Sequence, residues 1–130
     1  GRPEISPLSM YAAKLEVPVL GICLGHQAIG LARGMQLVES PLGPVHGVPS
    51  KIIANGDGLL KKGLHTMTRY NSLVLAGNGE IGVTATDETG VLPMEIRDEN
   101  TYGVQFHPES IGSTDGMAVL EEFLSRASHC

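Results

Sequence analysis

Gly21-Ile22-Cys23-Leu24-Gly25 sets a cysteine between two glycines at the end of an apolar run, Val17-Pro18-Val19-Leu20. The residues after Gly25 have helical spacing. A strand that turns sharply into a helix, with the nucleophile at the turn, is an elbow of the hydrolase type, here with sulfur in place of a hydroxyl. Such a turn lifts the thiol clear of the sheet and places it at a helix N-terminus, where a thiolate is favoured. The flanking glycines suit a turn that demands unusual backbone angles and close approach of chain to chain. The chemistry predicted is nucleophilic attack by sulfur. The competing reading is a buried, inert cysteine beside a tight strand–helix turn.

A nucleophilic thiol needs a base. Of the five histidines, His107 stands apart, in Gly103-Val104-Gln105-Phe106-His107-Pro108-Glu109-Ser110. It follows an apolar strand and so belongs at a carboxyl end. Glu109 lies two residues on, and in extended chain i and i+2 point to the same side. Glu109 can then reach one imidazole nitrogen while the other faces outward. Pro108 fixes φ and stiffens the arrangement. A carboxylate on histidine selects the tautomer and supports the imidazolium. The alternative is a structural histidine at a strand end with a solvated glutamate. His26, His46, His65 and His129 read as structural or surface residues: at a helix start, in a Gly/Pro-rich loop, in a polar connection and at the C-terminal end.

The elements that must hold these groups can be traced along the chain. Residues 6 to 16 have Leu8, Tyr11, Ala12 and Leu15 on one helical face. Residues 17 to 23 form a buried strand, apolar without alternation as in a parallel sheet. A helix over 25–33 follows, with Gly34 as its stop. This is half of a βαβ repeat. Strands are expected at 51–54, 72–76 and 82–86, with a turn at Asn55-Gly56-Asp57-Gly58. Residues 94–97 and 102–107 read as a hairpin. Residues 113–126 form an amphipathic helix, capped by Ser113, Thr114 or Asp115, with Met117, Leu120, Phe123 and Leu124 buried. The fold class is α/β: an open sheet, mostly parallel at its centre and flanked by helices, with antiparallel edge strands. In such sheets the working site lies at the carboxyl ends of strands.

Bulk composition narrows the partners. The 130 residues read as one domain, 42% hydrophobic and 18% charged. The formal charge is −5, from 9 basic and 14 acidic residues, with no basic cluster beyond Lys61-Lys62. That argues against nucleic acid, as does an aromatic content of 4% without tryptophan. No stretch reaches membrane-span length. Two cysteines far apart, Cys23 and Cys130, point away from a disulfide framework and toward a reduced, cytoplasmic setting. No Cys/His spacing resembles a metal site, and no cofactor is expected. Gly1-Arg2-Pro3 opens mid-loop, so more chain is expected upstream.

Taken together, GICLGHQAIG and GVQFHPES resemble the class I (triad) glutamine amidotransferases. His46-Gly47-Val48-Pro49-Ser50, Arg69-Tyr70-Asn71-Ser72-Leu73 and Thr114-Asp115-Gly116 resemble the glutaminase components of anthranilate synthase and aminodeoxychorismate synthase in particular. The resemblance implies a flavodoxin-like α/β fold and hydrolysis of L-glutamine to glutamate and ammonia. Cys23 would be the nucleophile, His107 the base and Glu109 its orienting partner. The Leu24 N–H would stabilise the oxyanion, Gln27 would touch the substrate, and Ser72 and Leu73 would hold its α-amino and carboxylate end. Gly1 would be the last glycine of a loop that supplies a second oxyanion donor, the family's first strand and helix being absent before it. Val48-Pro49 departs from the basic and hydroxyl residues common there.

The implied partner is a chorismate-binding synthase, as a subunit or a fused domain, whose docking activates the glutaminase through loops around His46 and Arg69. The alternatives are another branch of the same class, a γ-glutamyl hydrolase, or a non-catalytic docking module of the same fold. A cysteine variant of the α/β-hydrolases fits less well, because its acid precedes the histidine in the chain.

Overall fold

The computed structural model describes residues 17–128. Gly1, the helix expected over 6–16, His129 and Cys130 lie outside the described residues. In chain order the elements are β1 (Val19–Ile22), α1 (Leu24–Ala32), β2 (Gln36–Glu39), β3 (Val45–Ala54), β4 (Gly63–Asn71), β5 (Leu73–Ala76), β6 (Gly82–Asp87), β7 (Pro93–Asp98), β8 (Thr101–Val104) and α2 (Gly116–Ala127). Six strands form one sheet in the order β1-β8-β7-β6-β3-β4, and β2 pairs with β5 in a second.

The α/β class is as expected. β1 runs parallel to β8, with Ile22 opposite Val104. The other ladders are antiparallel, so the antiparallel portion extends well beyond an edge among the described residues. The β7–β8 hairpin forms where its residues predict it. Its turn holds Glu99 at φ 53°, with the Arg97 Nε donating to the Glu99 carbonyl at 3.0 Å. Gly34, at φ 97°, ends α1 as a left-handed residue that a side chain would strain.

The largest difference from expectation is the β3–β4 hairpin. His46 and His65, read as loop residues, lie in β3 and β4. Gly47 and Pro49 obscure the strand, yet both are accommodated. Gly47 sits at φ 68° at a register shift between His46 and Val48, a bulge that admits glycine. β6 covers β3 only from Ile52 to Ala54, so Pro49 lies where the strand has one neighbour and a missing N–H is tolerated.

The core gathers Ile52, Met67, Met94, Val104, Phe106 and Val119, all fully buried. The buried stripe of α2 is also corrected. Met117 and Leu124 are each 65% exposed, whereas Val119 is enclosed and Phe123 packs edge-on against Tyr102. The phase of α2 is set by Gly116, where a Cβ would collide with the Pro108 backbone. With Gly116 against that segment, Val119 and Phe123 follow on the same face.

Candidate active site

Cys23 is the first residue beyond β1. Its N–H donates to the Val104 carbonyl at 2.8 Å, extending the parallel ladder by one bond. Its carbonyl accepts the Gln27 N–H at 3.1 Å, opening α1. Between those two constraints the backbone adopts φ 55° and ψ −99°, a sparsely populated region that costs on the order of 1–3 kcal/mol for a residue with a side chain. Close approach is required at Gly21, where a Cβ would lie 2.6 Å from the Gly25 carbonyl carbon. Gly25 itself has no described atom within 4 Å of such a Cβ and no positive φ. The sequence pattern therefore assigns both glycines a need that the structure places on one.

His107 lies beyond β8, the parallel neighbour of β1, so the two strands deliver their residues to the same end of the sheet. Its Nδ1 is 3.0 Å from Glu109 Oε2, the contact expected from their spacing. The segment bearing this pair is clamped to the outer edge of β4. The His107 N–H donates to the Thr68 carbonyl at 2.9 Å, and the Thr114 N–H to the Thr66 carbonyl at 3.0 Å. Ser113 Oγ accepts the Thr68 N–H at 2.8 Å and donates to the His107 carbonyl at 2.7 Å. Thr68 Oγ1 donates to the Ile111 carbonyl at 2.9 Å. The Tyr70 ring meets the imidazole edge-on, with centroids 5.2 Å apart.

The sulfur sits among polar groups from the ends of β8 and β4. Gln105 Nε2 donates to it at 3.7 Å, and the thiol donates to the Tyr70 carbonyl at 3.9 Å. Burial comes first and pushes the Cys23 thiol up. The Leu24 N–H then pulls it down, the Glu109 charge raises it and the Gln105 amide lowers it, with a net upward shift. The helix N-terminus alone predicts a stabilised thiolate; burial outweighs it here, so the resting group is the thiol.

The remaining candidates are distributed as follows. Leu24 has an exposed side chain, with its backbone N–H at the sulfur. Gln27 is nearly buried and its Nε2 donates to the Leu73 carbonyl at 3.1 Å and to Gln105 Oε1 at 3.2 Å. Ser72 and Leu73 lie at the start of β5. The Ser72 carbonyl accepts the Ser40 N–H at 2.8 Å, and the Leu73 carbonyl also accepts Asn71 Nδ2 at 3.1 Å. Gly1 lies outside the described residues.

Sequence reasoning gives Gln105, Tyr70, Thr68 and Ser113 no part in the site: Tyr70 enters it only within the Arg69–Leu73 motif and Ser113 only as a helix-cap candidate. For Gln105 a signal existed: it precedes His107 by two, the same alternation that picks out Glu109. Nothing local ties the other three to Cys23 or His107. His26 is fully buried against the Gly103 backbone, and burial drives its imidazole down to about 4. It supports the base of α1. No group of three or more metal-ligating side chains exists among the described residues, and no helix there is long and apolar enough to cross a membrane.

The sequence model of one family, glutamine amidotransferase class-I, matches residues 3–127. The chain is 41% identical to anthranilate synthase component 2 of Azospirillum brasilense, over 92% of this chain and 63% of that protein. It is 42% identical to aminodeoxychorismate synthase component 2 of Escherichia coli K12, over 89% of this chain and 64% of that one. It thus spans less than two thirds of either relative. A crystal structure of a glutamine amidotransferase from Thermotoga maritima is similar in fold, with a TM-score of 0.71 at 17% identity, covering 94% of this chain and 51% of that one.

Proposed function

This chain belongs to the class-I glutamine amidotransferases, and on that premise we propose that it hydrolyses L-glutamine and passes the ammonia to a chorismate-binding synthase, as its relatives' names suggest. The observation that supports this most is the parallel pairing of β1 with β8. It brings a strained cysteine elbow and a His–Glu pair to one end of the sheet.

In this reading Cys23 attacks the side-chain amide carbon of glutamine. Because the resting group is the thiol, its proton must leave as the C–S bond forms, and His107 takes it. Glu109 holds Nδ1 and supports the imidazolium. The Leu24 N–H faces the developing oxyanion, with Gly1 as the second donor. As the C–N bond breaks, His107 returns the proton to the leaving nitrogen and ammonia departs. Water, deprotonated by His107, then attacks the γ-glutamyl thioester. The C–S bond breaks, glutamate leaves and Cys23 regains its proton. Both hydrogens of the Gln27 amide nitrogen are already committed to Leu73 and Gln105. Its Oε1 is left to accept from the substrate's ammonium group, beside the backbone of Ser72 and Leu73.

The test is Cys23→Ser in the assembled synthase. Glutamine-dependent product should vanish while synthesis from added ammonium salt persists. Loss of both together, or retention of both, would overturn the division of labour. A non-catalytic docking module predicts instead that Cys23 reacts sluggishly with a glutamine-like electrophile and that glutamine gives no protection.

A further inference from the structure

We propose that Gln105 is a thiolate-stabilising residue, its amide N–H locked onto the Cys23 sulfur by a chain of hydrogen bonds that begins at the Leu73 carbonyl. The inference rests on the reading of Cys23 as the nucleophile. Which end of each amide is nitrogen is decided by the Leu73 carbonyl, a backbone group that cannot flip.

A backbone carbonyl only accepts. The Leu73 carbonyl lies 3.1 Å from the Gln27 amide, so the atom facing it is nitrogen. That same nitrogen lies 3.2 Å from the Gln105 amide, and its second hydrogen requires an oxygen there. The other end of the Gln105 amide, 3.7 Å from Sγ, is therefore nitrogen. Turning Gln105 over would set its nitrogen against the nitrogen of Gln27 and leave both donors without acceptors. Gln105 is fully enclosed and Gln27 is 6% exposed, so water cannot repair such a mismatch, and buried donors left unmade are costly. Asn71 Nδ2 donates to the same Leu73 carbonyl at 3.1 Å, which fastens the origin of the chain.

The consequence at sulfur is directional. The Tyr70 carbonyl at 3.9 Å rewards a thiol hydrogen and opposes negative charge. Gln105, beside the Leu24 N–H, is a fixed donor that rewards negative charge. It acts twice in the proposed cycle: when sulfur loses its proton to His107, and when the C–S bond of the thioester breaks and sulfur takes the electron pair. Because it contacts the reacting atom from a buried, preorganised position, no reorganisation is needed as charge develops.

The experiment is the pH dependence of Cys23 alkylation by iodoacetamide, followed on the Cys23 peptide by mass spectrometry. It compares the wild type, Gln105→Met and Gln27→Met, each checked for folding by circular dichroism. Gln105→Met removes the donor. The midpoint of its rate–pH curve should rise by about one unit, so that alkylation at neutral pH slows about tenfold. Gln27→Met keeps Gln105 but releases its amide to turn, and should raise the midpoint by a smaller amount. A folded Gln105→Met protein with an unchanged midpoint overturns the proposal. Where Gln105→Met does not fold, an unchanged midpoint in Gln27→Met overturns it. Ammonia release from glutamine is measured in parallel with the synthase partner present. A wild type that releases none, with the alkylation shifts intact, refutes the glutaminase reading and supports the assignment of Gln105.

Discussion

Cys23 and His26 are three residues apart in one helical turn, yet burial acts on them in opposite directions. It raises the thiol and lowers the imidazole to about 4, because in each case the charged form is disfavoured. For His26 this has a stability consequence. The unfolded chain takes up a proton on this histidine near pH 6.5, whereas the folded protein resists until about pH 4. Between those values the unfolded state binds more protons, so stability falls as pH falls, by about 1.4 kcal/mol per unit. The stability is fully present above the unfolded value. The accumulated loss on reaching the folded value is on the order of 3 kcal/mol. Urea unfolding at a series of pH values should show this slope in the wild type and lose it in His26→Leu. An equally steep fall in the variant would assign the effect elsewhere.

At the scale of elements, the site depends on an edge contact. β4 is the last strand of the sheet, and an open edge is normally a liability. Here the segment leading to α2 covers it, and that segment carries His107 and Glu109. Ser113 Oγ is the shared atom, accepting from Thr68 and donating to the His107 carbonyl. Ser113→Ala leaves the buried Thr68 N–H without its acceptor, which should lower unfolding stability by about 1–3 kcal/mol. If the clamp positions the base, the same variant should lower kcat for glutamine hydrolysis with little change in KM, and Ser113→Thr should restore it. Loss of stability with unaltered kcat would make the clamp structural alone.

Across the whole molecule, Arg126 ties together pieces distant in sequence. From α2 it donates to Glu122 Oε2 at 2.7 Å, to the Tyr102 hydroxyl at 3.0 Å and to the Gly58 carbonyl at 3.0 Å. Its guanidinium also lies 5.6 Å from the Tyr102 ring centroid. A planar fork can satisfy these partners at once, and an ammonium cannot. Arg126→Lys, with charge conserved, should lower the urea midpoint by the equivalent of about 1–2 kcal/mol. An unchanged midpoint would reduce these bonds to surface decoration.

What the residues announced by themselves was local. The glycine-flanked cysteine after an apolar run, the His-Pro-Glu spacing, the β7–β8 hairpin and the stop at Gly34 each depend on neighbours within a few positions, where backbone preference and side-chain alternation act directly. Residue order could not say that β1 and β8 lie side by side and parallel, which is what brings residues 23 and 107 to one end. Nor could it show that residues 45–71 form a hairpin despite Gly47 and Pro49, because long-range pairing overrode local preference. The orientation of the Gln105 amide comes from a carbonyl 32 positions away in the chain, and the state of the thiol from burial by residues on other strands. Those outcomes are set by distance and dielectric, which exist only once the chain has closed on itself.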